Sequence, residues 1–213
     1  MESLKKPETR FLIMETLLYC GFLLEDLRTA HAVSTVLKYL SILVCLWFVT
    51  LRAMVGGEWS MVLALVLTAA ADELLLVSQR HYILGIFLFL CVQVLYAIRI
   101  GKENRYTLML RTGLVLLIWV GLWRTGLAIG VNLMAGLYFP QLLCNTVFAL
   151  RLQSPWGRLF SLGLLYFVAC DVFVGLWNLR PWLSGEVEKA VGLGMWMCYL
   201  PAQVCIALSV WKK

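Results

Sequence analysis

The sequence predicts an all-α fold: a polytopic membrane bundle of about eight transmembrane helices. Three observations carry that prediction. Of 213 residues, 62% are hydrophobic and 14% charged, against about 45–50% and about 25% in a soluble domain. Mean hydropathy is +0.86. Apolar runs of bilayer length recur along the chain, and at roughly 20 residues per span the length suffices for eight crossings. These values exclude a single-core soluble domain, a disordered chain and a secreted disulfide scaffold. β-barrel alternation is absent, and closed helices are the other way to satisfy backbone groups in lipid.

The expected spans are 11–24, 33–55, 59–78, 82–100, 107–125, 130–150, 157–179 and 189–211, all in one integral-membrane domain, 1–213. The first is the shortest. Lys5, Lys6 and Arg10 precede it and Ala30-His31-Ala32 follows, which loosely resembles a secretory signal. Glu15 interrupts that run, and Glu25, Asp26 and Arg28 separate it from the small residues, so it is read as a retained first helix. Turn chemistry punctuates the rest: Gly56-Gly57, Gly101-Lys102, Gly126 with Gly130, Ser154-Pro155 and Arg180-Pro181.

Charge sets the orientation. With the N-terminus inside, the inner segments hold twelve Lys/Arg: Lys5, Lys6, Arg10, Arg52, Arg99, Lys102, Arg105, Arg111, Arg151, Arg158, Lys212 and Lys213. The outer segments hold five: Arg28, Arg80, Arg124, Arg180 and Lys189. Both termini are therefore expected to be cytoplasmic. The net charge of +6 is read as this loop asymmetry and as attraction to anionic membrane lipids, with no nucleic-acid partner. Seven cysteines fall inside apolar runs with no CxxC pair, as small buried hydrophobes do. With only His31 and His81 available, no metal and no cofactor is expected.

Ionisable groups at membrane depth cost about 2.5–3.5 kcal/mol or more each and usually face an interior. Here they are Glu15, Lys38, Asp72, Glu73 and Asp171. Counting from the span ends puts Lys38, Asp72 and Asp171 at similar depth in the outer part of the membrane. Helical spacing then collects polar stripes: Thr68, Asp72 and Gln79; Gln93 and Tyr96; Tyr138, Gln141 and Asn145; Asp171, Gly175 and Asn178; Trp196, Tyr199 and Gln203. Each stripe alone reads as interhelical hydrogen bonding. Together with two aspartates they suggest a polar cavity. Ala70-Ala71-Asp72 and Gln93-Val94 also echo Ala169-Cys170-Asp171 and Gln203-Val204, a faint four-span repeat. On residues alone three readings stand: an enzyme, a small transporter or proton-coupled carrier using the Asp/Lys cluster, and a non-catalytic protein with a structural ion pair.

At these residues the chain resembles a known family. Val36-Leu37-Lys38-Tyr39-Leu40-Ser41, Ala69-Ala70-Ala71-Asp72-Glu73-Leu74, Leu84-Gly85-Ile86-Phe87 through Leu95-Tyr96, Phe167-Val168-Ala169-Cys170-Asp171 and Tyr199-Leu200-Pro201-Ala202-Gln203 occur in the order of the YhhN family, the lysoplasmalogenases. The chain resembles a divergent member: Gln93 stands where many have His, Cys170 where Ser or Gly precedes the aspartate, and Pro201 is unusual in the last helix. The resemblance implies an eight-span hydrolase, in a bacterial cytoplasmic membrane. Such an enzyme cleaves the vinyl-ether bond of lysoplasmalogens to a fatty aldehyde and a glycerophospho-headgroup. It implies Asp72 and Asp171 as the catalytic pair and a lysophospholipid as the partner. Lys38, Gln93, Tyr96, Tyr138, Asn145, Tyr199 and Gln203 are then the expected substrate-binding residues. Vinyl-ether cleavage needs a proton donor and a carboxylate, and two close aspartates in a dry site supply both.

Overall fold

In the computed structural model, residues 2–28, 31–101, 105–179 and 182–210 are described. The side chains of 2–6 and His31 lie outside that description, as do Lys102, Arg180-Pro181 and residues 211–213. Among the described residues eight long helices run in series: α1 (Glu2–Leu27), α2 (His31–Met54), α3 (Trp59–Asp72), α4 (Tyr82–Ile100), α5 (Arg105–Arg124), α6 (Gly130–Ala149), α7 (Pro155–Trp177) and α8 (Gly185–Leu208). No strand occurs among the described residues. The all-α bundle expected from composition is what forms.

Two bounds differ from expectation. α1 begins at Glu2 and runs through Pro7, because its charged first turns do not break a helix whose acids find partners on α2. α8 begins at Gly185, with Ser184 before it and Glu186 and Glu188 in the first turn, where acids favour a helix N-terminus. Among the described residues six helices are long and apolar enough to cross a membrane: α2, α3 with its extension, α4, α5, α7 and α8. α1 and α6 are not among them. Both carry polar residues that the bundle uses internally.

The packing is a closed ring. α2 packs on α3, α3 on α4, α4 on α6, α6 on α7, α7 on α8, and α8 returns to α2. α1 lies outside the ring against α2 and α8, and α5 lies outside against α6. The tightest seam is α7–α8, where a Cβ on Gly163 would meet Ala202 O at 2.9 Å. α8 continues through Pro201. A proline lacks the N–H that would satisfy the carbonyl four residues back, and that carbonyl, Met197 O, instead accepts from Tyr19 Oη on α1 at 3.5 Å.

The α1–α2 seam is a polar ladder. Glu8 pairs with Arg52. Glu15 Oε2 accepts from Ser41 Oγ at 2.5 Å and Oε1 from Cys45 Sγ at 3.5 Å. Asp26 accepts from Ser34 Oγ at 2.5 Å and Lys38 Nζ at 2.8 Å. Steps of 7 and 11 residues keep the three acids on one helix face. Phe11 stacks on Phe48 between the rungs, centroids 4.2 Å apart. The Arg52 rung and the Arg99 cluster lie at the end of the bundle where α1 starts and α8 stops: Arg99 pairs with Glu58 at 2.9 Å and donates to Ser209 O at 2.7 Å. This is the basic end of the topology count.

Candidate functional site

Asp72 is the last residue of α3, and its position depends on the turn of chain beyond it. Residues Glu73–Val77 form a π turn, with Ser78 N donating to Glu73 O at 2.8 Å across five residues. Such turns interrupt the regular ladder and recur at functional sites. Leu75 of this turn fills the space beside Gly85 on α4, where a Cβ would lie 2.6 Å from its Cγ. The π turn also corrects one expected stripe. Gln79 has left the helix in the left-handed region at φ +51, so it does not share the face of Thr68 and Asp72.

Asp72 is 5% exposed. Its Oδ2 accepts from Tyr199 Oη of α8 at 2.6 Å. Across the ring, Asp171 of α7 and Tyr138 of α6 face each other within electrostatic reach. That second couple is looser: Tyr138 and Asp171 lie near enough to interact as a hydrogen-bonded pair, but Tyr138 Oη and Asp171 Oδ2 do not reach the close geometry of Tyr199 and Asp72. Asp171 is partly buried as a residue, while its Oδ2 is wholly buried.

Aromatic rings join the couples. Phe89 of α4 lies 6.1 Å from Tyr138 and 6.4 Å from Tyr199, centroid to centroid. Phe167 of α7 lies 5.7 Å from Phe89 and 5.5 Å from Tyr199. Cys170 is within electrostatic reach of both Asp72 and Asp171, and Tyr96 of both Tyr138 and Tyr199. The ring interior thus collects five predicted residues, Asp72, Tyr96, Tyr138, Asp171 and Tyr199, around apolar rings. Further orphaned polar atoms lie in the same five helices: Thr68 Oγ1, Tyr96 Oη, and both amide atoms of Gln203. Buried polar groups without partners are rare, and each needs a reason.

The remaining predicted residues fall elsewhere. Lys38 is 7% exposed and is held by Asp26, not by Asp72 or Asp171. Its ammonium lies 4.9 Å from the Trp196 ring, which packs edge-on against Tyr199 at 5.6 Å. Lys38 is therefore one aromatic ring removed from the Asp72 couple. Gln93 and Asn145 bind each other: Asn145 Nδ2 donates to Gln93 O at 2.8 Å and Oε1 at 2.9 Å. Asn178 is exposed and donates to Val174 O at 3.0 Å, so it does not extend the Asp171 stripe inward.

Sequence reasoning missed two groups. Asp26, placed in a loop, is the partner of Lys38. Arg111, counted as an inner-loop cation, is 6% exposed. It donates to Asn145 Oδ1 at 2.7 Å and Gln141 Oε1 at 3.0 Å. A lone cation inside an apolar run was the available signal for Arg111; Asp26 carried none beyond helical spacing from Glu15.

This arrangement offers two carboxyls, each facing a phenol, in a water-poor aromatic setting. Among the described residues no group of three or more His, Cys, Asp or Glu could hold a metal ion. The arrangement of the lysine, aspartate and Tyr-Pro-Gln segments in space is accompanied by a sequence match: the YhhN family model covers residues 33–210. The chain belongs to the YhhN family. The matched stretch contains both aspartates and both tyrosines, and it begins inside α2. α1, with Glu15 and Asp26, precedes it. No curated protein and no solved structure matches the chain.

Proposed function

We propose that this YhhN-family protein is an intramembrane hydrolase that cleaves the vinyl-ether bond of lysoplasmalogens. The observation that carries the reading is the pair of buried Asp–Tyr couples facing one aromatic cluster, one tightly hydrogen-bonded and one looser. Vinyl ethers are stable to base and labile to acid. A carboxyl group transfers its proton to the outer vinyl carbon, and the ether oxygen's electrons form an oxocarbenium ion at the inner carbon. A carboxylate stabilises that cation and takes a proton from the water that adds to it. The hemiacetal then collapses to a fatty aldehyde and the free hydroxyl of the glycerophospho-headgroup, with one water consumed.

The two couples divide these roles. Tyr199 O–H donates to Asp72, and this supports reading Asp72 as the acceptor that faces the cation. In this reading Asp171, more loosely held beside Tyr138, is the proton donor. Aromatic faces of Phe89 and Phe167 suit both the alkenyl chain and the transient cation. Gln203, with an unpartnered amide about one helical turn beyond Tyr199, can hold the water.

The test is mass spectrometry of purified protein incubated with 1-alkenyl-lysophosphatidylethanolamine and with the matching 1-acyl lipid. Aldehyde from the alkenyl lipid alone is expected. Cleavage of the acyl lipid, or of neither, contradicts the reading; the second result favours a carrier that uses the same aspartates.

A further inference from the structure

Beside the Asp72–Tyr199 hydrogen bond, toward the basic end, lies a layer of buried polar atoms that no hydrogen bond within the protein satisfies. α3 starts and α8 stops at that end, where Glu58 and Ser209 meet Arg99. Thr68 is one helical turn back along α3 from Asp72, four residues or about 6 Å. Gln203 is one turn onward along α8 from Tyr199. Both steps lead toward the basic end, so the two residues come to one level under the hydrogen bond that joins their helices. Tyr96 enters the same space from α4. It is within electrostatic reach of Tyr138 and Tyr199 on the aspartate side, and of Arg99, about one turn beyond it on α4.

Thr68, Tyr96 and Gln203 are each 0% exposed. Thr68 Oγ1, Tyr96 Oη and both amide atoms of Gln203 have no hydrogen-bond partner in the protein. A buried hydroxyl or amide left unpaired costs its full desolvation, and this layer holds three such groups. A helical threonine has an internal escape, the carbonyl four residues back. Thr146 takes it at 2.8 Å; Thr68 does not. The four atoms include donors and acceptors, so an anion or a cation would satisfy only part of the set. Full enclosure excludes a ligand that must keep one end outside. Water both donates and accepts, and a buried water makes about three hydrogen bonds to otherwise unsatisfied groups.

We infer that Thr68, Tyr96 and Gln203 bind a cluster of water molecules that joins the Asp72–Tyr199 couple to the Tyr138–Asp171 couple and extends toward Arg99 at the basic end. Its catalytic role rests on the hydrolase reading and supplies a step that reading needs. Each turnover moves one proton from Asp171 to the alkenyl chain and one from water to Asp72. Resetting the site returns one proton from Asp72 to Asp171. Along a hydrogen-bonded file each water accepts one proton and passes one on, so the cluster ends as it began and no other reactant is consumed. Tyr96, in reach of the tyrosine of each couple, is the positioning residue for this path. Water drawn from the cluster also replaces the one consumed.

The test is X-ray hydroxyl-radical labelling of the full chain in lipid nanodiscs, read by mass spectrometry. Radicals made from bound water oxidise the side chains that touch it. Tyr96 should label at least tenfold faster than Phe11, which is equally enclosed but stacks on Phe48 in the α1–α2 seam. Thr68→Val keeps the shape, removes one water ligand and should slow Tyr96 labelling at least threefold. Thr68→Val combined with Gln203→Leu should bring it to the rate of Phe11. Wild-type Tyr96 labelling no faster than Phe11 overturns the inference, and that comparison requires no variant to fold. So does wild-type labelling in either variant when it is folded. A second readout addresses the proton path. With the alkenyl lipid, Tyr96→Phe should slow later equivalents of aldehyde at least tenfold more than the first. Equal slowing of both phases, or of neither, overturns the path. Labelled Tyr96 in a protein that cleaves no alkenyl lipid overturns the hydrolase reading and the return path with it, and leaves the water cluster standing.

Discussion

The α1–α2 seam and the ring interior both bury carboxyl groups, and they treat them in opposite ways. Along the seam every acid of the ladder meets donors on α2: Glu8 meets Arg52, Glu15 meets Ser41 and Cys45, and Asp26 meets Ser34 and Lys38. In the interior, Asp72 has one donor, Tyr199; Asp171 and Tyr138 meet only loosely; and Tyr96 Oη and the Gln203 amide have no protein partner. A saturated polar contact fastens two helices. An unsaturated one holds capacity for a substrate or a water, at a cost in stability. On the proposed function, the difference marks the seam's carboxyls as scaffold and the interior's as site.

Substitutions should split along that line. The largest effect is expected from Asp171→Asn and Asp72→Asn. Losing proton transfer or cation stabilisation should lower aldehyde release about 10²–10⁴-fold, while thermal unfolding stays where it was or moves up. Next, Lys38→Met leaves Asp26 without its counter-charge in a mostly buried position. It should destabilise the protein by about 2–4 kcal/mol, seen as a lower unfolding temperature, with the rate per folded molecule within about threefold. Pairing it with Asp26→Leu should recover most of the loss. Tyr199→Phe is intermediate in activity. A hydrogen bond to a charged group contributes about 1.5–3 kcal/mol, so kcat should fall roughly ten- to a hundredfold with little change in stability. The smallest effect is Glu15→Gln. It keeps one acceptor for Ser41 and should cost about 1 kcal/mol of stability with normal turnover; a large activity loss there would erase the distinction between seam and interior.

How much of this was readable from residues depends on what each feature requires. The eight helices follow from apolar runs and turn residues, which are local. The stripes that contain Asp72, Tyr138, Asp171 and Tyr199 follow from helical period, and the family resemblance ordered them. Partner choice was not local. Depth counting put Lys38 level with both aspartates, but its ammonium turns to α1, where Asp26, itself held by Ser34, accepts from it at 2.8 Å. The π turn that removes Gln79 from the Asp72 face leaves no mark in apolar periodicity. Arg111 was assigned by a topology count that treats every cation near a span end as solvated. Its side chain instead turns inward because Gln141 and Asn145, on the helix that packs against α5, supply acceptors.

The most direct test of the central claim compares wild type with Asp171→Asn and Asp72→Asn, each in detergent and each checked for thermal unfolding. The readout is aldehyde release from 1-alkenyl-lysophosphatidylethanolamine. The account predicts that both variants unfold at or above the wild-type temperature and that both lose aldehyde release. Wild-type release by either variant, or loss of activity only in proportion to lost fold, would contradict it.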